Sequence, residues 1–341
     1  MVSVATLGSH CALQVLKGAK DEGLKTILVS EKKRERLYKR FSFIDEVIPV
    51  DSFEEVLDKK CVSILERNDA VLIPHGTLIA QMSTRQIESI TTPVFGNKWI
   101  LRWESDRKLK EQLMKESDLN VPQSVPNPKK IKRLVIAKRH GAAGGKGYFL
   151  ASSEKDYLKK RNILVKQGLI KGDQDLYIQE YVMGVLAYLQ YFYSPLNETL
   201  EFFGVDKRHE SDIEGLARIP AQQQLGMDYI SSFNVIGNSP MVLRESLLDE
   251  VYQIGERFVK ASKRLVKPGM NGPFCIEGVY DQDGKFWSFE FSARIVAGTN
   301  IYMEGSPYST LLYDTPMSMG RRIAREIKLA SKSKKIEKIT T

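Results

Sequence analysis

Glu277 and Glu290 are the residues in this chain with the clearest capacity for chemistry. They sit in two β-rich runs, Cys275-Ile276-Glu277-Gly278-Val279-Tyr280 and Lys285-Phe286-Trp287-Ser288-Phe289-Glu290-Phe291, separated by Asp281-Gln282-Asp283-Gly284. An Asp-Gly between such runs is a strong hairpin signal. With Asp283-Gly284 as a two-residue loop, Gln282 pairs with Lys285 and Glu277 falls opposite Glu290 on one face. Their Cβ atoms would then lie ~4.5–5.5 Å apart, where like charges are unfavourable. A hard divalent cation would relieve that repulsion, and Mg²⁺ needs only one or two carboxylates plus substrate phosphates. Two solvated glutamates on an open face are the plain alternative, and another turn register would break the pairing.

A second candidate is the glycine-rich stretch Gly141-Ala142-Ala143-Gly144-Gly145-Lys146-Gly147, between a strand-like Leu134–Lys138 and Tyr148-Phe149-Leu150. Small residues let backbone N–H groups approach a phosphate, and Lys138 and Lys146 add cations. The pattern is not a P-loop, which leads into a helix. It suits a flap over nucleotide phosphates, or a surface loop. Tyr177-Ile178-Gln179-Glu180-Tyr181-Val182 follows as a strand whose edge could offer backbone groups to an adenine ring, or simply an edge strand exposing Glu180.

These groups need a scaffold. Val2–Leu7, Thr26–Val29, Glu46–Val50 and Ala70–Pro74 read as strands alternating with helices at Cys11–Glu22 and Ser52–Leu65, which predicts a doubly wound parallel sheet. Ligands of such sheets bind at the carboxyl ends of strands, where Gly8-Ser9-His10 and His75-Gly76-Thr77 stand. A helix around Ser105–Lys115 and a proline-rich linker (Pro122, Pro126, Pro128) follow. The expected organisation is an N-terminal Rossmann-like domain over 1–98, a linker helix and small subdomain with the flap over 99–195, and a large subdomain over 196–341 with the acidic hairpin and a charged C-terminal tail, its last ~12 residues frayed.

The 341 residues are 42% hydrophobic and 27% charged, ordinary for a globular protein. No apolar run is long enough to span a membrane, and the strand-like start does not read as a signal peptide. Three cysteines without metal-ligand spacing fit a reduced cytoplasm. The net charge of +9 permits phosphorylated partners. Its basic runs lack interleaved aromatics and nucleic-acid motifs, so nucleic acid and membrane are not expected partners.

The order lysine, glycine-rich flap, Gln-Glu-Tyr-Val strand and two late carboxylates resembles ATP-grasp enzymes. Longer strings narrow the likeness. Gly8-Ser9-His10, Pro74-His75-Gly76, Leu101-Arg102-Trp103-Glu104-Ser105-Asp106-Arg107, Ala217-Arg218-Ile219-Pro220 and Phe291-Ser292-Ala293-Arg294-Ile295-Val296-Ala297-Gly298-Thr299-Asn300 resemble the archaeal formate-dependent FAICAR synthetases, the PurP family. The resemblance runs from residue 1 to about residue 325. It implies an α/β and α+β ATP-grasp fold behind a Rossmann-like domain, and a ligase that uses ATP and formate to convert AICAR to FAICAR.

The resemblance also implies roles. Glu277 and Glu290 would hold Mg²⁺ or Mn²⁺. Lys138, Gly144, Gly145 and Lys146 would hold ATP phosphates, with Gln179, Glu180, Val182 and Glu210 around the nucleoside. His10, Thr77 and Asn238 would bind AICAR, Asn238 at its carboxamide. Read from the residues alone, His10 could instead cap the helix near Cys11, Asn238 could be a turn residue and Glu210 a loop charge. Arg294 could neutralise developing phosphate charge or pair with a glutamate; with Lys146 it is a candidate catalytic group. Ala143 stands where many relatives are expected to carry lysine, which leaves open a paralogous ligase acting on another phosphorylated amine. A non-catalytic nucleotide-binding regulator would not need both hairpin glutamates. The family implies a homo-oligomer, with a hexamer as one form.

Overall fold

The computed structural model describes residues 2–139, 147–225, 227 and 233–341. The chain opens with β1 (Ser3–Leu7), α1 (Ala12–Asp21), β2 (Lys25–Glu31), α2 (Glu35–Tyr38), β3 (Glu46–Val50), α3 (Lys59–Arg67), β4 (Ala70–Ile73), α4 (Gly76–Gln81) and α5 (Thr84–Glu88). The four strands form one parallel sheet in the order β3-β2-β1-β4. The run Ala-Val-Leu-Ile of β4 is buried throughout, as strands covered on both faces must be. Strand order reverses between β1 and β4, so Gly8–His10 and His75–Thr77 open onto the crevice where such sheets bind ligands.

Next come α6 (Ile100–Ser105) and α7 (Arg107–Glu116), broken where Asp106 caps α7 by accepting the N–H groups of Lys108 and Leu109 at 2.9 and 3.0 Å. β5 (Val135–Arg139), β6 (Phe149–Ala151), α8 (Glu154–Lys166) and β7 (Leu176–Glu180) follow, with an antiparallel sheet in the order β6-β5-β7. The expected strand–turn–strand flank of the glycine-rich stretch is thus the β5–β6 pair.

The remaining elements are β8 (Val185–Ser194), β9 (Thr199–Glu210), α9 (Ser211–Leu216), α10 (Ala221–Leu225), β10 (Val235–Met241), α11 (Leu248–Leu265), β11 (Gly272–Tyr280), β12 (Phe286–Ser292) and α12 (Met319–Lys332). A five-stranded antiparallel sheet runs β10-β9-β8-β11-β12. β8 therefore lies at the centre of this sheet, on the N-terminal side of the boundary expected at residue 195. The buried stripe of α11, including Val251, Ile254 and Phe258, covers one face. There Phe258 stacks on Phe274 at 5.3 Å between ring centroids.

The C-terminal segment differs from its expectation. It does not fray: α12 packs on α1, and Ile339 is fully buried. Backbone bonds join Val94 and Thr341 in both directions at 3.0 and 2.9 Å. The helices meet through glycines. A Cβ on Gly18 would stand 2.1 Å from the Arg321 nitrogen, and one on Gly320 2.2 Å from the Gln14 carbonyl oxygen. Just before these last residues, α12 docks an apolar face that includes Ile323 and Ile327 on the N-terminal layer.

Candidate active site

Glu277 and Glu290 are cross-strand partners, as expected, but by a different route. Asp281, not Gln282, pairs with Lys285, its N–H donating to the Lys285 carbonyl at 3.1 Å. Gln282-Asp283-Gly284 forms a three-residue loop with Gly284 at φ +76°. The Asp281 carboxylate secures it, accepting the N–H groups of Asp283 and Lys285 at 3.0 and 2.9 Å and Trp287 Nε1 at 2.7 Å. The one-residue shift would move every later side chain to the wrong face. A bulge between Glu277 and Gly278 cancels it, restoring the Glu277–Glu290 pair. Gly278 is required there, because a Cβ would lie 2.3 Å from the Phe286 ring.

The positive charge these carboxylates need is partly supplied by the protein. Glu277 accepts Arg208 Nη1 on Oε2 and Ser292 Oγ on Oε1, both at 2.8 Å. Arg208 itself lies 3.8 Å over the Tyr188 ring. Glu290 pairs with Lys110 of α7. Burial would raise the Glu290 carboxyl, but Lys110, Arg107 and Lys138 outweigh it and hold it at about 2. Burial lowers Lys138 to about 8, and its Nζ donates to Gln179 Oε1 at 3.0 Å.

These groups line one cavity of about 330 Å³ with Glu180, Val182, Glu210 and Arg294. The Gln179 side chain is committed at both ends, since its Nε2 donates to the Pro122 carbonyl at 3.2 Å; it steadies Lys138. Glu180 pairs with Arg133, and its N–H donates to the Gln123 carbonyl at 2.8 Å. Burial pushes the Glu210 carboxyl up to about 7. Arg294 pairs with the buried Glu104 at 2.9 Å while still lining the cavity. Gly144, Gly145 and Lys146, together with Ala143, lie outside the described residues.

His10 does not cap α1. Its φ is +53°, and Cys11 holds the cap position without a side-chain bond. Its ring meets His75 edge-on at 5.6 Å. A Cβ on Gly76 would stand 2.5 Å from His10 Nε2, so only glycine leaves room for the ring. His75 is itself fully buried; its Nε2 donates to the Leu7 carbonyl at 2.9 Å and its Nδ1 accepts the Thr77 N–H at 3.2 Å. That locks β1 to the start of α4, where Gly76 packs on His10 and Thr77 follows. Burial, then the nearby His75, Arg294 and Arg208, lowers His10 to about 2, so it is a neutral ring in a positive field.

Asn238 lies in strand β10 opposite Arg208, not in a turn, and donates to Asp206 Oδ2 at 2.7 Å. The loop 297–301 connects it to His10: Gly298 packs on Asp206, and Asn300 Nδ2 donates to the His10 carbonyl at 3.1 Å. Sequence reasoning placed His75 at the crevice without a role and missed Arg107, Lys110, Glu104, Asp206 and Arg208 as members of this region. The available signal for Lys110 was its helical spacing to Leu113 and Met114, with which it is buried on one face of α7.

Residues 156–341 match a family model described as a domain of unknown function (DUF1297), and residues 4–125 one described as a protein of unknown function (DUF1246). The 5-formaminoimidazole-4-carboxamide-1-(beta)-D-ribofuranosyl 5'-monophosphate synthetase of Nitrosopumilus maritimus is 70% identical over 341 residues, covering 100% of both chains. A crystal structure of an IMP biosynthesis protein PurP from Thermococcus kodakaraensis superimposes with TM-score 0.80 at 29% identity, over 99% of this chain and 100% of that one. The biotin carboxylase domain of Hydrogenobacter thermophilus 2-oxoglutarate carboxylase, in complex with MgADP, matches with TM-score 0.66 at 14% identity, over 95% of this chain and 69% of that one. The architecture shared with these structures is the ATP-grasp fold.

Proposed function

The chain belongs to the 5-formaminoimidazole-4-carboxamide ribonucleotide synthetase family, and on that footing we propose that it uses ATP to join formate to the amine of AICAR, giving FAICAR, ADP and phosphate on the route to IMP. It is an ATP-dependent carbon–nitrogen ligase. The observation that supports this chemistry is the convergence of Arg107, Lys110, Lys138, Arg208 and Arg294 with two carboxylates on one cavity. Transfer of a phosphoryl group mostly requires positioning and charge neutralisation.

Formate alone is a poor acyl donor, because its leaving group would be oxide or hydroxide. A formate oxygen would attack the γ-phosphorus of ATP, breaking its bond to the bridging oxygen and releasing ADP. The AICAR amine would attack the carbon of the resulting formyl phosphate; the carbon–oxygen bond breaks, phosphate leaves and the nitrogen loses a proton. Lys138, steadied by Gln179, would hold ATP phosphates together with Gly144, Gly145 and Lys146, and keeping water from the site would protect the acyl phosphate. Glu180, Val182 and Glu210 would surround the nucleoside. Arg294, anchored by Glu104, would face the charge that develops on the transferred group. His10, Thr77 and Asn238 would bind AICAR at the crevice between β1 and β4.

Glu277 and Glu290 fit a hard divalent cation, Mg²⁺ or Mn²⁺, because both offer carboxylate oxygens to the same cavity. Such an ion supplies charge neutralisation on the phosphates. Three buried, unpaired cysteines accord with a reduced cytoplasm, and no described helix is long and apolar enough to cross a membrane. The family likeness adds a homo-oligomer, a hexamer among its forms.

Oxygen-18 formate tests the path. One label should appear in inorganic phosphate for each FAICAR formed. FAICAR formed with unlabelled phosphate would rule out formyl phosphate.

A further inference from the structure

Asp206 is a buried carboxylate that the proposed chemistry leaves unused, and its surroundings are unusually constrained. It lies on β9, fully buried, beside the residues assigned to the acceptor substrate. Gln190 Nε2 donates to its Oδ1 at 2.6 Å and Asn238 Nδ2 to its Oδ2 at 2.7 Å. Gln190 makes that bond although its own Oε1 is buried without a partner among the described residues. The loop at Gly298 closes on the carboxylate so tightly that a Cβ there would stand 2.1 Å from Oδ1. A carboxylate accepts only, so both neighbouring amides must turn their nitrogens toward it.

We infer that Asp206 is a specificity-determining positioning residue, which commits the Asn238 nitrogen and so presents Asn238 Oδ1 to the substrate as an obligate acceptor for a carboxamide N–H. This rests on the reading that Asn238 meets the AICAR carboxamide. A free asparagine could rotate its amide and present either an acceptor or a donor. Held by Asp206 it presents only an acceptor, which favours a carboxamide over a carboxylate at the same ring position. A site built to hydrogen-bond one group rejects an analogue that leaves its buried polar atoms unpaired.

Exchanging the two residues tests this. In the variant carrying both Asp206→Asn and Asn238→Asp, the amide at 206 donates to the carboxylate at 238, which still turns an acceptor to the ligand. Binding of AICAR, of its 4-carboxylate analogue and of ATP is measured by calorimetry on the full chain. Asp206→Asn and Asn238→Asp should each weaken AICAR binding about tenfold or more, and the exchange should recover most of that loss, with ATP affinity constant as the check on folding. Asp206→Asn should also narrow the preference for AICAR over the carboxylate analogue about tenfold, whereas a purely structural role would weaken both ligands alike. AICAR binding unchanged in Asp206→Asn, an exchange no tighter than the weaker single variant, or an unchanged preference overturns the inference. If Asp206→Asn loses ATP binding, Asn238→Asp and the exchange decide it by the same criterion. Wild-type protein that binds ATP but not AICAR overturns the underlying reading, and this inference with it.

Discussion

Glu277 and Glu290 face one another across β11 and β12, yet each is neutralised by a different cation, Arg208 for the first and Lys110 for the second. The two cations arrive from opposite sides, Arg208 from β9 and Lys110 from α7, so the hairpin ties the large sheet to the linker helix at the centre of the cavity. A metal ion and ATP phosphates would enter a site where each of the two carboxylates already has a cationic partner, and Lys110 and Arg208 are then available to phosphate oxygens.

Glu290→Gln should abolish ATP turnover at saturating Mg²⁺. The substitution removes a carboxylate that Lys110, Arg107 and Lys138 all face. ADP release by the purified variant is the measurement, and activity above about a tenth of wild type, a barrier change of only ~1.4 kcal/mol, would contradict the metal assignment.

Thr77→Val keeps the side-chain shape and the backbone bond to His75, but deletes the hydroxyl. It should raise the KM for AICAR about tenfold, the cost of one hydrogen bond to a charged group, and leave the KM for ATP nearly unchanged. Equal shifts in both constants would show that Thr77 is not a separate acceptor contact.

Glu210 gives a pH signature. Below its ordinary value near 4.5 its carboxyl is protonated in both folded and unfolded chains. Between there and about 7 only the unfolded chain ionises, so the stability of the neutral buried group is progressively lost as pH rises through the folded value. The melting temperature of Glu210→Gln minus that of wild type should therefore grow from about pH 5 to about pH 8. A difference independent of pH would contradict the raised value.

Ile339 is fully buried between α12 and the parallel sheet. Ile339→Ala should cost about 2–5 kcal/mol in urea unfolding. A cost below about 0.5 kcal/mol, the level of a surface substitution, would mean that the C-terminal segment is not docked in solution.

What could be read in the chain beforehand divides along physical lines. Local patterns gave the parallel sheet, the crevice residues His10 and Thr77 and the carboxylate pair. The pair came out right although the loop was misjudged, because the Asp281-centred loop and the bulge at Gly278 each shift the register by one and cancel. Their marks are slight, a glycine inside a strand run (Gly278) and an aspartate at the start of the loop (Asp281). The counter-charges were not legible, since Lys110 and Glu290 are 180 positions apart and only the folded chain joins them. Val94 and Thr341 are separated in the same way, so the last residues, which read as charged and frayed, turned out to dock on the first layer.

The most direct measurement is ADP release by the purified protein with ATP, Mg²⁺ and formate, with and without AICAR, with product identified by mass. ADP release that requires both formate and AICAR, with one FAICAR formed per ADP, is the predicted result. Tight ATP binding without turnover on AICAR would contradict it and point to a ligase for another phosphorylated amine, with Ala143→Lys as the first substitution to make.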